Sequence, residues 1–211
     1  MYARKVQGKE LTFAVSGKLW NRSLVMVDNQ TDSLWSHLLG KSMEGELKGT
    51  QLETLPGVIM TWKAWKEAHP KTSVLKMSRT ADEFVKAFHE SPGRFVLGVR
   101  SETAAKAYSF ESLKAERVIN DVFEKGPIIV LYDPEGTGGR VFSRSLDGKT
   151  LTFRLAKDRI IDGETKSIWD LQGKCMEGPL KGKSLKEIPA IPSFTKAWAQ
   201  FYPDGERYQK R

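Results

Sequence analysis

The seventeen residues GKSMEGELKGTQLETLP, from Gly40 to Pro56, return 133 positions later as GKCMEGPLKGKSLKEIP, from Gly173 to Pro189, with 10 identities. Unrelated stretches of ordinary composition would share about one. Upstream, Arg4, Gly8, Lys9, Leu11, Thr12 and Phe13 return as Arg144, Gly148, Lys149, Leu151, Thr152 and Phe153 at an offset of 140. Downstream, Lys63-Ala64-Trp65 and Pro70 return as Lys196-Ala197-Trp198 and Pro203, again at 133. The chain therefore holds two copies of one folding unit, which constrains the architecture more than any local propensity does. The change of offset puts seven extra residues in the first copy, expected between Phe13 and Thr31.

Each copy reads mainly as strand. KELTFAV and KTLTFRL alternate apolar and polar residues, the period of a half-buried strand, and Asp147-Gly148 supplies turn chemistry before the second. Short strands are expected over Leu24 to Val27 and Ser33 to Trp35, around a turn at Asp28 to Asp32 whose counterpart is Asp162 to Thr165. A short helix closes each copy, Met60 to His69 and Ser193 to Tyr202, with tryptophans at helical spacing and a proline as the stop. Between the copies, Thr80 to Glu90 reads as an amphipathic helix and Arg94 to Val99 as a strand. Ala104 to Val122 reads as helical or irregular, Pro127 to Tyr132 as an apolar strand and Asp133 to Gly139 as a glycine-rich turn. That strand-helix-strand block precedes only the second copy, so a front of roughly 45 residues is expected to be missing from the first, leaving a sheet edge unpaired.

The expected fold class is α+β and β-rich: two homologous sheet or barrel-like units with tryptophan-bearing closing helices, the first unit lacking its front segment. Residues 1–70 form the first repeat, 71–93 a connecting helix and linker, and 94–211 the second repeat with its front. Leu11, Phe13, Val25, Trp35, Trp65, Leu151, Phe153, Trp169 and Trp198 are the expected core. A net charge of +8 permits acidic partners, but the charges are mixed along the chain and no nucleic-acid-binding signature accompanies them, so nucleic acid is an unlikely partner. A membrane span is not expected, because no apolar run approaches the roughly 18 residues it needs. The single cysteine, Cys175, excludes an internal disulfide.

The string LTFAVSGKLWNRSLVMVDNQTDSLWSHLLGKSMEGELKGTQLETLP, followed by TWKAWKEAHPKTSVL, resembles the bacterial and archaeal family called domain of unknown function 3179. GVRSETAAKAYSFESL, VINDVFEKGPIIVLYDPEGTG and TLTFRLAKDRIIDGETKSIWDLQGKCMEGPLKG are similar to the second half of that family. The resemblance covers nearly the whole chain and implies no activity, cofactor or catalytic residue. Relatives usually begin earlier, with a Cys-Pro pair and an export or lipoprotein signal, implying an extracytoplasmic place for them. This sequence carries neither, and its compartment is left open.

Shared residues serve the common fold, so the first-copy insertion is the natural place for a special role. Ser16, Lys18, Trp20, Asn21, Ser23 and Asp28, with His37, combine an aromatic platform with short hydrogen-bonding groups and a cation, the mixture that holds a small polar ligand. The competing reading is a longer hairpin whose Trp20 simply packs. His37 with Met43, or Cys175 with Met176, offers soft-metal donors without paired spacing, so no metal site and no cofactor is expected. GxSxG is absent, Cys175 replaces Ser42 within the repeat, and the 133–139 loop lacks the Lys-Ser/Thr of a phosphate cradle. The leading expectation is a non-catalytic binding or scaffold module for a small polar ligand or a protein partner, with self-association through the unpaired edge. A hydrolase with acids distant in sequence and a basic nucleic-acid-binding surface are the alternatives.

Overall fold

The computed structural model describes residues 1–74, 91–135 and 138–210. In chain order the strands are β1 (Lys5–Val6), β2 (Lys9–Glu10), β3 (Phe13–Trp20), β4 (Ser23–Asp28), β5 (Leu34–Ser36) and β6 (Lys41–Glu44), followed by helix α1 (Trp62–Ala68). Next come β7 (Phe95–Arg100), β8 (Ala105–Ser109), α2 (Phe110–Glu116), β9 (Val118–Phe123), β10 (Gly126–Tyr132) and β11 (Gly139–Ser143). The rest are β12 (Ser145–Leu146), β13 (Lys149–Thr150), β14 (Phe153–Ala156), β15 (Arg159–Asp162), β16 (Ile168–Trp169), β17 (Cys175–Glu177), β18 (Glu187–Ile188), β19 (Ala190–Phe194), α3 (Thr195–Phe201) and β20 (Glu206–Arg207).

The duplication is visible as backbone. A short hairpin, β1-β2 or β12-β13, leads into a four-stranded antiparallel meander, β3-β4-β5-β6 or β14-β15-β16-β17. The leading hairpins turn at Gln7-Gly8 and Asp147-Gly148, with positive φ at both central residues, as a two-residue turn matched to strand twist requires. The meanders share a register: Phe13 lies opposite Asp28, and Phe153 opposite Asp162. The fold is β-rich and two-fold repetitive, as the sequence indicates. The sheets are open, however, so the barrel-like alternative falls; four-stranded meanders of this length leave their edge strands unjoined.

The extra seven residues divide. Six lie between Phe13 and Asp28, where β3 is longer than β14 and bulges between Val15 and Leu19. The seventh lies in the turn Ser36–Leu39, matched by the shorter Asp170–Gln172, so the expected placement of all seven upstream of Thr31 is corrected.

Two compact units are present. Met1–Gly57 with Lys196–Asp204 forms the first, and Val58–Thr195 with Gly205–Arg211 the second. The closing helices therefore change hands: α1 follows the first meander in sequence but belongs to the second unit, whereas all of α3 after Thr195 belongs to the first. Both helices are seven residues long, shorter than expected: α1 begins after the extended Thr61, and α3 begins directly where strand β19 ends.

In the second unit β9, β10, β11 and β18 form one sheet, and β19, β7, β8 and β20 another. β10 is apolar without interruption because it is covered on both faces: Ile128 and Val130 enter one core with Leu97, Tyr108 and Leu113, while Ile129 and Leu131 enter another with Phe142, Phe153 and Trp169. Ala104 to Val122, expected as helical or irregular, is strand, one two-turn helix and strand again. Ser109 caps that helix by accepting from the Ser112 N–H at 3.0 Å. Of the expected core, Leu11, Val25, Trp35, Leu151, Phe153, Trp169 and Trp198 are buried. Phe13 and Trp65 are only half-buried, since α1 buries no residue fully. The helix expected at Thr80 to Glu90 lies outside the described residues. No helix among the described residues is long and apolar enough to cross a membrane.

Candidate ligand-binding cleft

The β3-β4 hairpin gathers most of the residues proposed from sequence. Asn21 and Arg22 form its two-residue turn, both at positive φ, flanked by the pair Trp20 and Ser23. At the bulge the Ser16 hydroxyl donates to the Val25 carbonyl at 2.6 Å and accepts from the Lys18 N–H at 3.1 Å, so Ser16 and Lys18 are tied together. Gly17 sits at φ +77 with open space around it. Trp20 meets Phe201 edge-on with ring centroids 4.9 Å apart. His37 joins by its backbone, its N–H donating to the Leu24 carbonyl at 3.1 Å. Desolvation, and then the positive Met1 amino terminus, lower its imidazole pKa.

Asp28 stands apart at the far end of β4, with no solvent exposure. One of its oxygens accepts from the Trp35 indole N–H at 2.8 Å, the other from the Thr31 N–H at 2.7 Å, and the Thr31 hydroxyl reaches both. The second copy repeats this arrangement: Asp162 accepts from the Trp169 indole at 2.9 Å and from the Thr165 N–H at 2.5 Å. In each copy the threonine hydroxyl also meets a buried serine, Ser33 or Ser167, whose oxygen accepts a backbone N–H from Leu47 or Leu180 at 3.1 Å. Burial alone would raise both carboxyl pKa values, but the indole and threonine bonds outweigh it and hold them below the ordinary range. These carboxylates are buried fold elements shared by the copies, each closing the turn that follows its strand.

A cleft the sequence reading did not find lies in the second unit. It encloses about 290 Å³ between apolar Val118, Leu155, Ile160 and Leu171, with Arg117, Tyr132, Asp158, Trp169, Asp170 and Gln172 completing the lining. Arg117 ends α2 at φ +54, its N–H closing on the Leu113 carbonyl at 2.8 Å and its carbonyl accepting the Tyr132 N–H at 2.9 Å. Its Nη1 donates to Asp158 at 2.7 Å, while its Nε is buried and meets no acceptor among the described residues. Burial, and then the negative charge of Asp133, raise the Tyr132 phenol pKa, so it is a neutral donor at ordinary pH. Asp170 is spent locally, accepting from the N–H groups of Gln172 at 2.9 Å and Lys174 at 2.8 Å. One cation and one phenol in an apolar-walled hole near the lower size limit of small-molecule sites are suited to a small anionic group.

No local motif announces this cleft, because four separated stretches build it. One signal existed: the turn Asp170–Gln172 is one residue shorter than Ser36–Leu39, a difference between the copies. Among the described residues no group of three or more His, Cys, Asp or Glu side chains could hold a metal ion. Cys175 is buried, and desolvation raises its thiol pKa.

A tandem pair of antiparallel meanders, each pinned by a buried aspartate and tryptophan, thus defines the class of protein. The chain belongs to the family described as "Protein of unknown function (DUF3179)", whose model matches residues 1–95 and 89–205. No curated protein and no solved structure matches it.

Proposed function

We propose that this protein is a non-catalytic binding module, and that the second unit takes a small polar ligand bearing a carboxylate or phosphate in the Arg117 cleft. The Arg117 guanidinium and the neutral Tyr132 phenol on one apolar-walled cleft carry the reading: an anionic oxygen there takes a charge-assisted hydrogen bond from the guanidinium. The acids nearby support binding over acid-base chemistry, since Asp158 pairs with Arg117 and Asp170 caps a turn. A screen of mono- and dicarboxylates and inorganic phosphate by thermal shift tests it. At least one is expected to raise the melting temperature of the wild type but not of Arg117→Gln. No stabilisation by any of them, or equal stabilisation of both proteins, refutes the reading.

A second reading keeps the hairpin, with Ser16, Lys18, Trp20, Asn21, Ser23 and His37, as a protein-docking element. Val15 is 71 % exposed, Leu19 72 % and Trp20 40 %, three large apolar groups on one hairpin.

A further inference from the structure

The two copies act as internal controls for the charges that line the Arg117 cleft. The hairpin turns of the two meanders have the same backbone, with Asn21 and Arg22 at φ 48 and 61 and Lys157 and Asp158 at φ 47 and 61. The turns after the third strands match as well: the Gly40 N–H closes on the Ser36 carbonyl at 2.8 Å, and the Gly173 N–H on the Asp170 carbonyl at 3.2 Å. In the first copy the Ser36 hydroxyl caps its turn by accepting the Leu39 N–H at 3.2 Å, where Asp170 accepts those of Gln172 and Lys174. Arg22 and Ser36 thus hold the places that Asp158 and Asp170 hold in the second copy, and neither turn requires a carboxylate.

Both carboxylates stand on the cleft lining with Arg117 as the one cation there, so the lining is negative on balance. The two acids are not equivalent. Asp158 takes the Arg117 Nη1 at 2.7 Å. Both backbone bonds to Asp170 end on Oδ1, and its Oδ2 accepts from nothing among the described residues. The Arg117 Nη2 likewise meets no acceptor among the described residues. A lone anion is attracted by the guanidinium but repelled by the surplus carboxylate, whereas a molecule that brings its own cation gains from both.

We propose that the occupant of the Arg117 cleft is a small zwitterion, an amino acid with a short aliphatic side chain: Arg117 takes its carboxylate, Asp170 its ammonium, and the walls of Val118, Leu155, Ile160 and Leu171 its side chain. This rests on the reading of the cleft as an anion-binding site and narrows it. A volume of about 290 Å³ limits the occupant to few heavy atoms. Both polar ends are charge-assisted hydrogen bonds, the stronger kind, and their opposite signs fix the direction in which the molecule lies. The apolar walls exclude water from both pairs, which strengthens them further.

The test sets L-alanine and L-valine against their deaminated counterparts, propionate and isovalerate, and their decarboxylated ones, ethylamine and isobutylamine, by calorimetry on the full chain. At least one amino acid is expected to bind about tenfold or more tightly than both of its single-charge counterparts. Asp170→Ser, which places at this turn the residue type that caps it in the first copy, is expected to abolish the advantage of the amino acid over its carboxylate, while Arg117→Gln weakens both. The wild-type comparison needs no variant and decides the matter if Asp170→Ser fails to fold. Carboxylates or phosphate that bind while the amino acids gain nothing, or an advantage that survives in folded Asp170→Ser, overturn the zwitterion and leave the anion site standing. Absence of binding by every amino acid, carboxylate and phosphate overturns both.

Discussion

Replacing Asp162 tests whether the buried aspartate pins its meander. The carboxylate has no exposure and accepts from the Trp169 indole, the Thr165 N–H and the Thr165 hydroxyl. In Asp162→Ala the indole N–H, on a residue only 3 % exposed, is left without water or acceptor, a cost of about 1–3 kcal/mol. Each threonine donor forfeits a bond to a charged group, worth about 1.5–3 kcal/mol when fully shielded and less here because Thr165 is only half-buried. Relief of the carboxylate's own desolvation offsets part of this, leaving a net loss of about 3 kcal/mol. Asp162→Asn keeps the shape but turns an amide NH₂ toward a donor and should cost about 2 kcal/mol, while Trp169→Phe removes donor and demand together and should cost least. Urea unfolding, followed in parallel by tryptophan fluorescence and circular dichroism, measures the order. The acid limb gives an independent check. The native carboxyl pKa lies below the usual 3.8, so its contribution is full above that value and is lost as pH falls through the lower native pKa. Asp162→Asn should therefore show a shallower acid limb than wild type. An alanine variant within about 1 kcal/mol of wild type, with the same acid limb, refutes the reasoning.

Gly173→Ala should cost about 1–3 kcal/mol, because φ is +77 and a Cβ would stand 2.7 Å from the Phe142 ring; Gly17→Ala, at the same φ but in open space, should cost about 1 kcal/mol by thermal melting. Cys175, 1 % exposed and with its thiol pKa raised, should resist a thiol reagent in the native protein and react stoichiometrically once unfolded in urea; fast native labelling would contradict its burial.

The pinning motif was legible before any coordinates. Asp28, Thr31, Ser33 and Trp35 return as Asp162, Thr165, Ser167 and Trp169 at an offset of 134, between the stretches that match at 140 and at 133. Comparing only those two registers hides it. Even in register, an aspartate beside a turn reads as solvated, and only the indole folded over it makes it a core residue. The hairpin was legible for a related reason, since an insertion in one copy has to go somewhere, but the bulge at Ser16 and Gly17 depends on which carbonyl Ser16 reaches.

What the sequence determines by itself is repetition, and with it strand order, register and most of the buried positions. Like sequences with like alternation bury the same faces, and that requires only short-range pattern. What the tertiary structure decides is membership and completion. The seven-residue helices have too little intrinsic stability to choose a place, so packing assigns α1 to the second unit and most of α3 to the first. Arg4 and Arg144 are one residue type at one repeat position, yet the first pairs with Glu10 and the second holds three carbonyls, because a side chain's role is set by which acceptors the rest of the fold brings within reach.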